Sequence, residues 1–222
     1  MRSKQLADAA AALRPRLRGV IHQYAFFVAV ALGAVLIATA PAGRAMLAAT
    51  IYALAVCGLF GVSALYHRIT WSPPARRWMR RLDHSMIFVF IAASYTPVAL
   101  LVLHGALAIT ILAVVWGGAL AGVVLNLVWT DAPKGAAVAL YIALGWVAIV
   151  TLPDLWDTLG WLSVAAFGLG GALYTTGAVI YAKGRPNPWP RVFGYHEIFH
   201  VLVTAAAATH YAVIAFAVLP RG

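Results

Sequence analysis

Apolar runs of about twenty residues recur along almost the whole chain, and they limit what it can fold into. A run of this length crosses a lipid bilayer as an α-helix, because unpaired backbone groups are not tolerated in the hydrocarbon region. The connections between the runs are short, which predicts antiparallel neighbours. We therefore predict an all-α membrane protein, a bundle of seven transmembrane helices over residues 19–41, 46–69, 82–103, 106–129, 135–152, 158–182 and 194–219.

The composition indicates the same class. Of the 222 residues, 64% are hydrophobic and only 10% are charged, whereas a soluble domain has about a quarter of its residues charged. The single cysteine, Cys57, lies in an apolar run, which excludes an intrachain disulfide and a cysteine-based metal site. The first run resembles a cleavable signal peptide, but it is too long for one, so we expect it to be retained.

The basic residues predict an orientation. If the N-terminus is cytoplasmic, fourteen of the sixteen lysines and arginines fall on the inner side, and only Arg44 and Arg221 fall outside. The C-terminus is then external, in a plasma membrane of the bacterial inner-membrane type. Residues 1–18 form a basic cytoplasmic segment ahead of a transmembrane domain over 19–219. The net charge of +10 becomes a collar facing lipid headgroups, so we expect no nucleic-acid partner.

Ionisable residues inside the predicted spans are candidates for function, because placing one in lipid costs about 3 kcal/mol. Of the six acidic residues, only Asp83 and Glu197 fall within spans. The other four fall in connecting segments, namely Asp8 and Asp131 on the inner side and Asp154 and Asp157 in an outer loop.

Five polar side chains are expected at one depth, one or two turns below the cytoplasmic surface. The second span ends there and the third and seventh begin there, which brings together Ser63, His67, Asp83, His196 and His200. His196 and His200 are four residues apart and share a helix face. Three imidazoles with an open position for water are typical of catalytic zinc, and a nearby aspartate can orient or deprotonate that water. We predict that zinc is bound by the three histidines.

Each of these residues also has a structural interpretation. Asp83 can cap the third helix, where a carboxylate is favoured by the helix dipole. His67 can be an interfacial histidine. His196 and His200 can form hydrogen bonds to neighbouring helices.

The other histidines are weaker candidates for the site. His210 lies about 15 Å deeper than His200, which is too far to share a metal. His104 falls in an outer turn, and His22 at the inner end of the first span. His84 points about 100° away from Asp83 around its helix.

Residues 196–200, His-Glu-Ile-Phe-His, also match the H-E-x-x-H signature of zinc proteases, in which the glutamate is the base. This five-residue pattern has low specificity in a chain with seven histidines. A protease also needs a groove for an extended peptide. Glu197 lies one turn inside a basic surface, where it is equally suited to pairing with an arginine or capping the seventh helix.

The chain resembles the haemolysin III branch of the progestin and adipoQ receptor family in SALYHRITW, RRLDHSMIFVFIAASYTPVAL and GAVIYAKGRPNPWPRVFGYHEIFHVLVTAAAATHY. The resemblance covers about residues 14 to 219. It rests on three motifs, S-x-x-x-H at residues 63–67, D-H-S at residues 83–85 and H-x-x-x-H at residues 196–200. It implies seven helices, a cytoplasmic N-terminus and zinc held by three histidines. The implied site residues are the zinc ligands His67, His196 and His200, with Asp83 contacting zinc or its water and Ser63 nearby.

The wider superfamily includes alkaline ceramidases, which hydrolyse lipid amides with a similar set of Ser, Asp and three His. The resemblance therefore implies that zinc polarises the amide carbonyl and activates a water, Asp83 accepts the proton, and Ser63 hydrogen-bonds the developing oxyanion. Zinc-dependent hydrolysis of a lipid amide or ester is the favoured function. Glu197 has no catalytic role in this family, so we interpret the protease match as accidental.

Three other functions stay open. A non-catalytic sensor or regulator of membrane state would use the same histidines for structural zinc. A cytolytic, pore-forming protein fits less well, because Gly118-x-x-x-Gly122 and the glycines of 168–171 predict a tightly packed bundle. An intramembrane protease would use Glu197 as its base.

The charge bias predicts the membrane topology directly. A reporter attached at residue 1 should be cytoplasmic and one attached after Gly222 external, as measured with compartment-sensitive fusions. Finding both ends on the same side would remove one span and break the alignment of depths on which the predicted zinc site rests.

Overall fold

The structure, a computed structural model, describes residues 15–129 and 134–222. Residues 1–14, which carry most of the predicted basic segment, and the predicted inner residue Asp131 lie outside these ranges. The described residues form helices and no β-strand, apart from one isolated bridge between Trp189 and Phe193. The all-α class predicted from the apolar runs is confirmed.

Seven α-helices follow one another in the described ranges. They are α1 (Val20–Thr39), α2 (Arg44–Arg68), α3 (Pro73–Leu101), α4 (Gly105–Val128), α5 (Lys134–Gly145), α6 (Leu152–Lys183) and α7 (Tyr195–Val213). A 3-10 segment, Trp146–Thr151, joins α5 to α6 without a break. A π-helical turn, Ile214–Val218, and a 3-10 turn, Leu219–Arg221, extend α7 to the end of the chain.

Within the residues that the structure describes, six helical segments are long and apolar enough to cross a membrane. Five of these are α1, α2, α3, α4 and α7 with its extension. The sixth is one continuous segment of 49 residues, from Gly135 to Lys183. Large apolar side chains such as Phe27, Ile109 and Phe216 point outward, as expected where lipid is the solvent. The protein is therefore a multi-pass membrane protein.

The helix that contains the third predicted span begins before that span. α3 begins at Pro73 rather than at residue 82, although four arginines lie between these positions. Pro73 and Pro74 occupy the first turn of the helix, where the fixed φ of proline favours helix initiation and its missing N–H costs nothing. Apolar content alone therefore does not locate the beginning of this helix.

The predicted outer loop containing Asp154 and Asp157 is wrong, because both residues lie on α6. Pro153 sits in the first turn of α6 and so does not interrupt the helix. The interruption comes at Gly160, where φ is 78° and ψ is 168°. This is a conformation that glycine alone adopts readily.

Helices that are neighbours along the chain pack against each other, and α7 returns to contact α1 as well as α6. One apolar cluster, which includes Tyr52, Phe60 and Phe90, lies between α1, α2, α3 and α7. A second, which includes Phe88 and Val115, lies between α3, α4, α6 and the end of the chain. This packing brings the beginnings of α1, α3 and α7 and the end of α2 together at one end of the bundle.

Candidate metal centre

Three histidines meet at this end of the bundle. His67 lies in the last turn of α2, and His196 and His200 lie in the first two turns of α7. Their ligand nitrogens all lie within 4.8 Å of one another. Nε2 of His67 and Nε2 of His196 are 3.2 Å apart, although 129 positions separate the two residues. The fold therefore brings together the three histidines that the sequence predicts as zinc ligands.

The donor set fits a transition-metal ion. Imidazole nitrogen is a usual ligand of zinc, whereas calcium and magnesium take oxygen ligands. Tetrahedral zinc with Zn–N bonds of about 2.0–2.1 Å sets its ligand nitrogens roughly 3.3 Å apart, close to the 3.2 Å between His67 and His196. His200 is 2% exposed and the His67 side chain 5%, so both imidazoles are buried.

Asp83 and Ser63 lie beside the three histidines. Oδ2 of Asp83 is 3.9 Å from Nε2 of His67. Asp83 is the eleventh residue of α3 and does not cap that helix, so this structural interpretation of it is wrong. Ser63 is buried one turn deeper than His67 on α2.

A cavity of about 670 Å³ extends from this cluster into the bundle, and all five predicted site residues line it. Its interior walls are mainly apolar and aromatic, with Phe167, Tyr174 and Val203 among them. Four arginines also line the cavity, namely Arg18, Arg76, Arg80 and Arg81. A volume of this size accommodates an organic ligand rather than only an ion and its waters.

The four remaining histidines are not members of the three-histidine cluster. His210 lines the cavity ten residues further along α7, and its Nε2 is 3.2 Å from the carbonyl oxygen of Phe167. His84 also lines the cavity, with its ring 6.5 Å from that of Tyr181. His104 precedes α4 in the turn where it was predicted.

His22 contacts the cluster although no sequence motif pointed to it. It lies in the first turn of α1 and is 3% exposed. Its ring stacks on that of His200, with centroids 3.7 Å apart and planes 9° apart, and its Nδ1 is 2.8 Å from Oγ of Ser63. The sequence offered one indication of this contact, the expected depth of the residue in the membrane. His22 lies one turn inside the same end of the bundle as His67.

Glu197 has a structural role. The residue is fully buried, and its Oε1 accepts a hydrogen bond from Nε–H of Arg18. Its Oε2 accepts from the backbone N–H of Gly194 at 2.8 Å, which closes the N-terminus of α7. Both alternatives considered from the sequence, arginine pairing and helix capping, are therefore confirmed. Because both carboxylate oxygens accept hydrogen bonds that hold the N-terminus of α7, the geometry favours a structural role over that of an H-E-x-x-H protease base.

The chain is similar to known proteins of one family. A family model described as haemolysin-III related matches residues 10–211. The chain belongs to the haemolysin-III-related family. It is 31% identical over 176 residues to Hemolysin-3 of Bacillus cereus, which covers 79% of this chain and 77% of the relative. It is 30% identical over 167 residues to the Hemolysin-3 homolog of Bacillus subtilis strain 168, which covers 75% of each.

This haemolysin-III-related chain also has eukaryotic relatives. It is 28% identical over 167 residues to the monocyte to macrophage differentiation factor of Homo sapiens, which covers 73% of this chain and 67% of that one. A shorter match of 86 residues, 36% identical, joins 34% of the chain to the heptahelical transmembrane protein ADIPOR2 of Oryza sativa subsp. japonica. The protein therefore lies in the haemolysin III branch of the progestin and adipoQ receptor family, as its motifs predicted.

The role of Glu197 can be tested by substitution. Glu197→Gln keeps an oxygen for the N–H of Gly194 but leaves Arg18 without its charged partner. We expect a loss of about 1–2 kcal/mol in stability, since the arginine is partly exposed, and an unchanged number of metal ions per chain. Thermal unfolding in detergent and elemental analysis measure the two effects. Unchanged unfolding together with lost metal would mean that Glu197 is a ligand and not a cap.

Proposed function

We propose that this haemolysin-III-related protein is a zinc-dependent membrane hydrolase that cleaves a lipid amide or ester. The observation that carries the proposal is the group formed by His67, His196 and His200, whose ligand nitrogens lie within 4.8 Å of one another in the wall of a large cavity. Asp83 and Ser63 line the same cavity, which supplies a base and a hydrogen-bond donor next to the candidate metal position.

The proposal includes seven transmembrane spans with a cytoplasmic N-terminus and an external C-terminus, in a bacterial-type plasma membrane. A helix of 49 residues would be about 74 Å long, more than twice the roughly 30 Å of a hydrocarbon core. The break at Gly160 divides the segment from Gly135 to Lys183 into two pieces that are each long enough to span. The bias of Lys and Arg toward one side supports this orientation, which sets the three histidines near the cytoplasmic face.

The reaction that fits these residues is attack of water on a carbonyl carbon. When bound, zinc supplies a Lewis acid that polarises the carbonyl and makes water a better nucleophile. The Asp83 carboxylate accepts a proton from the attacking water and can return it to the leaving amine or alcohol. The Ser63 hydroxyl donates a hydrogen bond to the oxygen that becomes negative as the carbon turns tetrahedral.

The walls of the cavity support a lipid as the substrate. The apolar and aromatic interior suits an acyl chain, because burying each methylene of a chain contributes about 0.8 kcal/mol. Arginines such as Arg76 and Arg81 lie among the lining residues and suit the polar or anionic part of a lipid. With the acyl chain inside the bundle, the carbonyl would lie between these two regions, next to Asp83.

Metal content tests the first part of this proposal. Protein purified in detergent should contain one transition-metal ion per chain, and His200→Ala should lose most of it. His200→Ala should also melt at a lower temperature, because an ion that binds only the folded state stabilises it by mass action. His210→Ala, on the same helix but outside the three-histidine cluster, is the matched control and should keep its metal.

Asp83→Asn tests the second part. This variant should retain metal, with binding weakened by up to about 100-fold, and should lose fatty-acid release from lipid amides or esters. Wild-type protein that holds zinc but releases no fatty acid from any of these lipids would contradict the hydrolase and favour a sensor with structural zinc. An absence of stoichiometric metal would contradict the site itself.

A further inference from the structure

Residues 16–18, which lead into α1, contact the segment just before α7 and the first turn of α7. The backbone N–H of Arg16 donates to the carbonyl oxygen of Arg191 at 3.0 Å, and that of Leu17 to Val192 at 3.2 Å. Arg18 then pairs with the buried carboxylate of Glu197. These contacts fix the first turn of α1 against the helix that carries two of the three clustered histidines.

Gly19 lies directly against His67. It has φ of 78°, and a Cβ added at this position would lie 2.5 Å from Cβ of His67, closer than two such atoms can approach. The backbone of Gly19 therefore occupies the space beside the base of the His67 side chain. A side chain at position 19 would press against Cβ of His67.

His22, one turn later on α1, contacts His200 and Ser63. Its ring covers one face of the His200 ring at a centroid distance of 3.7 Å. The 2.8 Å contact between His22 Nδ1 and Ser63 Oγ is a hydrogen bond. If the imidazole donates in this bond, the hydroxyl hydrogen of Ser63 stays available for Asp83 or for a substrate oxygen.

We propose that Gly19 and His22 are positioning residues of the metal centre. Gly19 sets the direction of the His67 ring, and His22 sets the plane of the His200 ring and the orientation of the Ser63 hydroxyl. Outer-shell groups that orient metal ligands through hydrogen bonds affect metal affinity about 10–100-fold although they do not touch the ion, and we expect effects of this order from the stacking and steric contacts here. The inference rests on the metal-binding part of the proposed function and does not require hydrolysis.

Two substitutions separate the contacts of His22. His22→Phe keeps an aromatic ring over His200 but loses the bond to Ser63, and His22→Asn keeps a polar group near Nδ1 but loses the ring. We expect Co²⁺ binding to stay within about threefold of wild type in His22→Phe and to weaken about 10–100-fold in His22→Asn. Competition with a chelator gives the affinities, and the visible ligand-field bands of bound Co²⁺ report the ligand geometry.

Gly184→Ala is the control for Gly19→Ala. It strains the backbone in the same way but makes no contact with His67. Gly184 also has a positive φ, 65°, but a Cβ there would meet nothing within 4 Å. Both alanine variants should lose some thermal stability without metal, because both strain the backbone. Only Gly19→Ala should lose Co²⁺ affinity, by about 10-fold or more, and show a changed ligand-field spectrum.

The outcomes distinguish this inference from the site on which it rests. If wild-type protein binds no Co²⁺ or Zn²⁺, both the metal centre and the positioning roles are wrong. If wild-type protein binds the metal and His22→Asn and Gly19→Ala bind it with the same affinity and spectrum, the positioning roles alone are wrong. A purely structural role would lower the melting temperature of these variants and leave both metal measurements unchanged.

Discussion

The approach of α2 to α7, where Nε2 of His67 lies 3.2 Å from Nε2 of His196, is the contact on which the site depends. The two helices come from early and late parts of the chain, and the imidazoles meet in the wall of the cavity. Two unprotonated nitrogens at this distance repel each other through their lone pairs, and a shared proton or metal ion turns that repulsion into attraction. With the third imidazole, His200, the group has three nitrogens that could hold one metal ion together.

Two further helices, α3 and α1, bring other side chains next to the three-histidine cluster. α3 brings Asp83, the one acidic group within 4 Å of a cluster histidine among the described residues. α1 brings His22 and Gly19, which lie against His200 and His67. Glu197 is the glutamate of the H-E-x-x-H pattern. Its two carboxylate oxygens accept hydrogen bonds from Arg18 and Gly194, and these bonds hold the N-terminus of the helix that carries His196 and His200. The glutamate of a protease-like motif therefore has a structural role beside the three-histidine cluster.

Much of this arrangement follows from local sequence rules. The run lengths predict the helices, and the spacing of four predicts a shared face for His196 and His200. Helix boundaries near prolines did not follow hydropathy, because Pro73 and Pro153 lie in the first turns of α3 and α6, in segments that hydropathy assigned to connections. The contact of His22 with His200 was not predictable from either residue's neighbours in sequence. It depends on how closely α1 packs against α7, which tertiary packing alone decides.

X-ray absorption at the metal edge tests the central claim most directly, because it reports the ligands of a bound ion without a crystal. Purified wild-type protein should give a zinc spectrum fitted by three imidazole nitrogens at about 2.0–2.1 Å and one oxygen ligand. His200→Ala protein reconstituted with zinc should show one imidazole fewer. A spectrum dominated by oxygen or sulfur ligands, or a protein without stoichiometric metal, would contradict a metal centre built from His67, His196 and His200.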